Sequence, residues 1–213
     1  MTEIENNQED IIENNLHKIQ NTLFHVKCQN QLSDSIINFF TMAIGFFMFG
    51  CMNAEILYSN ETKYLFYGSL IIAGIAQAIL GIYEWYKGKS ISILINFSFG
   101  LLFIAWFFKY KLFEEGVIKK DQSYEGTIYT IWFLLSLIII VAVKNKGMIY
   151  SLNYIAVGAG FAFLFIDKYA DQNWIKKTYG YIFLVAGGLF WITGLLRLFS
   201  SSFLNNYLGI VKE

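Results

Sequence analysis

Charged residues in this 213-residue chain are spaced so that six uncharged windows separate them: 35–54, 64–83, 90–108, 126–143, 147–166 and 178–196. Each window is 18 to 20 residues long, close to the roughly 20 apolar residues that carry a helix across a hydrocarbon layer about 30 Å thick. Only 15% of the chain is charged and 56% is apolar, against about 25% charged in a soluble domain. The pattern predicts an all-α integral membrane protein with a bundle of six transmembrane helices over 35–205.

Sixteen Lys plus Arg balance sixteen Asp plus Glu, so the long basic surface that nucleic acid requires is not there, and that partner class is excluded. Cys28 precedes the first window and Cys51 lies inside it, which is not a disulfide framework. His17 and His25 have no Cys pair or HExxH pattern beside them, so no metal site and no cofactor is expected. A buried Ser/His, Cys/His or carboxylate pair is also lacking, so the chain does not read as an enzyme.

Residues 1–15 are rich in Asn, Gln and Glu and are expected to be a disordered acidic tail. Residues 16–33 read as an amphipathic helix, because Ile12, Leu16, Ile19, Leu23 and Val26 step by four and three onto one face. It would lie on the membrane surface, pack on the bundle ends or bind a partner. No apolar signal-peptide core precedes the first window, and 206–213 form a short C-terminal tail. The loop 109–125 mixes charges of both signs and reads as solvated. Six spans place both termini on one side. Lys and Arg divide eight to eight between the two sides, but loops 84–89 and 144–146 concentrate four Lys against one acid, which predicts termini inside. Tyr64, Tyr67, Trp85, Tyr86, Trp106, Tyr110, Tyr129, Trp132, Tyr179 and Tyr181 flank the spans and are expected to anchor them at the interface.

Within the windows the polar groups are neutral: Gln77, Asn96, Ser98, Thr130, Ser136, Asn153 and Thr193. Proton relays and ion pumps are marked by ionisable residues at depth, so a pump is not expected. Neutral groups of this kind either join helices or line a path. Small residues at Gly74, Ala78 and Gly81, at Gly158 and Ala162, and at Gly187 and Gly194 permit close helix approach.

The segment 67–100, YGSLIIAGIAQAILGIYEWYKGKSISILINFSFG, resembles the acetate uptake transporter family, which includes the succinate-acetate permeases. Gly74, Ala76, Gln77, Gly81, Glu84, Lys87, Gly88, Ser98 and Gly100 occupy the places of that family's second- and third-helix motifs. Gly88 suits a helix C-cap, and Lys87 in the preceding turn can pair with Glu84. The resemblance implies a six-helix bundle assembled as a ring of like subunits, each carrying acetate or another small mono- or dicarboxylate, with proton coupling possible. It implies a constriction at Ile44, Phe99 and Gly158 and a path lined by Gln77, Asn96 and Ser98. The family's Asn-Pro-x-Pro-Leu-Gly entry to the first helix is replaced here by Ser35, Ile36, Ile37, Asn38, Phe39 and Phe40, and the chain has no proline. That difference motivates the alternative of a transport-inactive structural subunit in a larger membrane complex. Residence in a plasma membrane or an organellar membrane such as the mitochondrial inner membrane fits either function.

Overall fold

A computed structural model describes residues 36–56, 60–117, 122–144, 147–170 and 172–207. The expected tail over 1–15, the amphipathic helix over 16–33, Ser35, both histidines and residues 208–213 lie outside them. Six helices follow one another: α1 (Ile36–Asn53), α2 (Asn60–Tyr86), α3 (Ser90–Glu114), α4 (Gln122–Val143), α5 (Met148–Ala170) and α6 (Asn173–Tyr207). All six are long and apolar enough to cross a membrane, so the chain is a multi-pass helical membrane protein. The last helix runs two residues past the expected boundary at 205.

Successive spans run in opposite directions. We call the end holding the start of α1 the near end and the other the far end. α1 packs on α6 and α2, α2 on α3, α4 on α5, and α5 on α6. The circuit closes between α3 and α4 chiefly through side chains, with the Phe99 and Trp132 rings 5.9 Å apart.

Each helix turns one stripe inward at the three-and-four spacing of a helix face. On α1 the stripe is Phe39, Met42, Phe46 and Phe49; on α2 it is Phe66, Leu70, Ala73, Gln77 and Glu84; on α3 it is Ser92, Asn96, Phe99, Phe103 and Trp106. α5 adds Tyr154, Val157 and Phe161, and α6 adds Tyr179, Phe183 and Phe190. Every one of these side chains is buried.

The small residues act as close-packing points. A Cβ on Gly100 would stand 3.0 Å from the Gly74 carbonyl and 3.1 Å from the Ala78 amide, so α2 and α3 touch backbone to backbone there. A Cβ on Gly187 would stand 2.7 Å from the Phe47 amide nitrogen, and one on Gly180 would meet the Ala54 amide. Gly158 faces the Ser136 side chain at 3.4 Å. Gly100, Gly180 and Gly187 therefore bring backbones together, while Gly158 packs on a side chain.

Helix ends follow sequence signals. α2 stops at Gly88, whose φ of 67° is a left-handed conformation that costs other residues. Its N–H bonds the Trp85 carbonyl at 2.9 Å while the Lys89 N–H bonds the Glu84 carbonyl at 3.1 Å, the paired pattern of a Schellman ending. Lys87 sits 4.1 Å from the Tyr83 ring, whose hydroxyl raises the ammonium pKa by hydrogen bonding, with a smaller contribution from the Glu84 charge, and Glu84 also has Lys89 beside it at 3.7 Å.

The aromatic residues at the helix ends divide. Tyr64, Trp85, Tyr86 and Tyr181 are exposed and suit an interfacial belt, whereas Tyr67, Trp106, Tyr129 and Tyr179 are buried in the bundle.

Gly187→Ala is expected to destabilise the bundle by about 1–3 kcal/mol, because the new methyl meets backbone and α1 has to move off α6. Gly188→Ala, where nothing lies within 4 Å, should be neutral or slightly stabilising. Unfolding midpoints of the two variants in the same detergent measure the difference.

Candidate functional site along the bundle axis

The middle of the axis is closed by rings. Phe46 lies 5.4 Å from Phe99 and 5.2 Å from Phe103, both edge-on, and is stacked with Phe183 at 5.5 Å and Phe190 at 5.9 Å. Phe99 reaches Tyr154 at 6.4 Å, and Trp106 joins Phe161 at 6.1 Å. Below this layer Phe49 stacks on Trp106, with centroids 3.6 Å apart and planes 9° apart. Offset and edge-on contacts of this kind add about 0.5–1.5 kcal/mol each beyond burial, so the closure is a stable feature of the fold.

The three residues implied as a constriction do not meet. Phe99 is at the centre of the axis. Ile44 lies on the outer side of α1, in an apolar lateral groove of about 600 Å³ with Phe47, Leu65, Gly188 and Trp191. Gly158 faces α4. The aromatic of α1 that opposes Phe99 is Phe46, two residues along, and the fifth-helix neighbour is Tyr154. The three-four spacing of Phe39, Met42, Phe46 and Phe49 was a sequence signal for this register.

On the near side of the rings the buried polar residues gather. The Gln77 amide donates to the Asn38 backbone carbonyl at 3.1 Å, to Asn38 Oδ1 at 3.0 Å and to Thr41 Oγ1, joining α2 to α1. Asn153 donates to Thr193 at 3.0 Å, joining α5 to α6. Such links are worth about 0.6–2 kcal/mol each inside a membrane. Thr130 and Ser136 donate to their own helix at Gly126 and Trp132. Asn96 is wholly buried and neither of its amide atoms has a hydrogen-bond partner. Ser98 is half-buried, about a third of a turn from the inward stripe of α3. Ala76 and Gly81 belong to the packing of α2, with Gly81 against the Phe97 ring.

On the far side a cavity of about 500 Å³ opens, lined among others by Asn53, Lys63, Lys109, Tyr110, Glu125, Asp167, Lys168, Lys176 and Tyr179. Asn53 forms its floor: Oδ1 accepts from Tyr179 at 3.2 Å and Tyr110 at 3.4 Å, while Nδ2 donates to the Phe49 carbonyl at 2.8 Å. Glu125 on α4 is the hub of its wall. The carboxylate meets Lys168 of α5 at 2.7 Å and Lys109 of α3 at 3.1 Å, and Lys109 donates to Tyr129 at 2.8 Å. The residues expected in a solvated loop, Lys109 and Glu125, thus hold α3, α4 and α5 together. Outside the bundle, Lys177 hydrogen-bonds Glu55 and, with Lys176, holds its carboxyl below the usual range.

Among the described residues no group of three His, Cys, Asp or Glu is placed to hold a metal.

The six-span bundle has a polar cavity at its far end, buried amides toward its near end and a middle closed by rings. Searches by sequence match no protein-family model and no curated protein. The solved structure of the bacterial acetate channel SatP is similar, with a TM-score of 0.70 over 80% of this chain and 95% of that one at 16% identity. The two proteins share a fold.

Lys168→Met is expected to destabilise the protein by about 1–3 kcal/mol, since it takes the closest partner from the partly buried Glu125 carboxylate and leaves it Lys109 alone. Lys63→Met, which removes a half-exposed partner of Glu114, should cost less than about 1 kcal/mol. Denaturant or thermal titrations in one detergent check both values.

Proposed function

We propose that this protein is a channel or transporter for acetate or a similar small carboxylate, with the bundle axis as its route. The observation that carries the reading is one aromatic layer around Phe46 between the far-end cavity and the buried amides of the near side, in a fold shared with a protein described as an acetate channel. The far-end cavity is lined by Lys63, Lys109, Lys168 and Lys176 against Glu125 and Asp167. Each of these lysines is paired with a carboxylate, Lys63 with Glu114, Lys109 and Lys168 with Glu125 and Lys176 with Glu55, and their remaining N–H donors are what a carboxylate entering from solution would meet. Past the rings, Gln77 and Asn96 offer polar contacts where a bare charge would be costly, and Ser98 stands beside them on α3. Pore width at Phe46, Phe99 and Tyr154 would then set which acids pass. Proton coupling, placement of both termini inside and a ring of like subunits belong to the same proposal. Native mass spectrometry of the purified protein reads the assembly.

The filled axis favours a second reading, a structural subunit that carries nothing. The two separate in proteoliposomes containing only this protein. The transport reading expects saturable uptake of labelled acetate above protein-free liposomes, stimulated by an inward proton gradient. Uptake equal to the control, from folded protein, supports the structural reading.

The position of the constriction is tested in the same assay. Phe46→Ala and Phe99→Ala are expected to raise acetate uptake several-fold and to admit longer acids such as butyrate. Ile44→Ala should leave the profile unchanged. The opposite result, with Ile44 controlling size selection, would move the route to the outer side of α1.

A further inference from the structure

Asn96 is the polar side chain in the membrane that the packing leaves unexplained. It is wholly enclosed, and both its Nδ2 and its Oδ1 lack partners. Buried amides are ordinarily bonded, and one with neither group bonded calls for a partner outside the chain. A second unpaired atom lies close by. Gln77 is also wholly enclosed, and its amide orientation is fixed because it donates to the Asn38 backbone carbonyl, which can only accept. Its Oε1 is therefore the atom left without a partner.

The two lie close together on adjacent stretches of α2 and α3. A Cβ on Gly100 would stand 3.3 Å from the Gln77 Cβ, and Asn96 is one turn of α3, about 6 Å, from Gly100. Asn96 is also three residues from Phe99, on the same inward stripe, so it lies directly on the near side of the ring closure.

From this geometry we infer that Asn96, with Gln77 beside it, receives the substrate as the neutral carboxylic acid and not as the carboxylate, an inference that rests on the carboxylate-path reading. A primary amide and a carboxylic acid are complementary: the acid O–H donates to Oδ1 while its carbonyl accepts from Nδ2. A carboxylate has no hydrogen to donate and would set its lone pairs against Asn96 Oδ1 and Gln77 Oε1. The surroundings point the same way. α1 contributes no charged residue between Ile36 and Ala54, Tyr154 of α5 is the titratable group against Phe99, and the nearest charges on α2 and α3 are Glu84, two turns from Gln77, and Lys89 beside it. On α6 the near-end cation is Arg197, whose Nε donates to the Tyr150 hydroxyl of α5 at 2.7 Å.

The test is ligand-observed saturation-transfer NMR on the intact protein in detergent with three small probes: the planar acetate and acetamide and the tetrahedral methanesulfonate. Acetate transfer should fall about tenfold per pH unit above the acid's own pKa. Acetamide, always neutral with one donor and one acceptor face, should give the same signal at low and high pH, and methanesulfonate, always an anion, should give none. Asn96→Leu should weaken acetate at low pH and acetamide by roughly tenfold, the loss of two hydrogen bonds. Methanesulfonate binding as acetate does, with acetamide silent, overturns the neutral-acid inference and leaves the carboxylate path standing. Unchanged acetamide binding in Asn96→Leu overturns the assignment to Asn96. Silence of all three probes alongside measurable acetate uptake means that water alone fills the space, which also overturns it. Silence together with no uptake removes the path reading itself.

Discussion

Six spans set in a circuit around one axis leave a middle that a bilayer cannot fill with water unless the protein lines it with polar groups. Here it is filled with rings. Phe46 touches α3 and α6 at once, and Phe99 carries the contact on to α4 and α5. Removing this layer would leave the helices joined by glycine contacts at their edges, by the Gln77 and Asn153 links and by the far-end clusters at Asn53 and Glu125. The ring layer is both the core of the fold and the barrier of the proposed route. A stable core and an openable gate make opposite demands on the same residues, and aromatic rings meet them by pivoting about one or two side-chain bonds without leaving their helix face.

The polar groups are arranged around that layer by function. At the far end charges are buried only where they are paired, as in the Glu125 hub with Lys109 and Lys168. Deeper in, charge disappears and amides replace it. This gradient from paired ions through tyrosine hydroxyls to neutral amides matches the falling capacity of the surroundings to support charge.

The spans were legible in the sequence because bilayer thickness and helix rise fix their length, and because charge cannot sit unpaired within them. The ending of α2 at Gly88 and the close approaches at Gly74 and Gly187 were legible for similar reasons: few residues satisfy those geometries. The direction in which each aromatic points was not. An aromatic residue near a helix end is as good an interfacial anchor as a core residue, and only tertiary packing separated Tyr64 and Trp85 from Trp106 and Tyr129. A resemblance carried across without gaps located Phe99 on the axis but missed Phe46 by two residues. Such an offset turns a helix residue most of the way to another face. The Glu125 hub was hidden because Lys109 and Glu125 end a stretch whose charges balance and Lys168 comes from α5, far along the sequence.

The central claim is that the axis, and not a surface of the bundle, is the route, interrupted by the Phe46 layer. Its most direct test is side-specific labelling by a membrane-impermeant thiol reagent in a background lacking Cys28 and Cys51. A cysteine at Ser92, on the near-side stripe of α3, is expected to react from the near side alone in the otherwise native protein and from both sides once Phe46→Ala is added. Failure of that cysteine to react from either side in the Phe46→Ala background would contradict the account, because the axis would then be a solid core with no path along it.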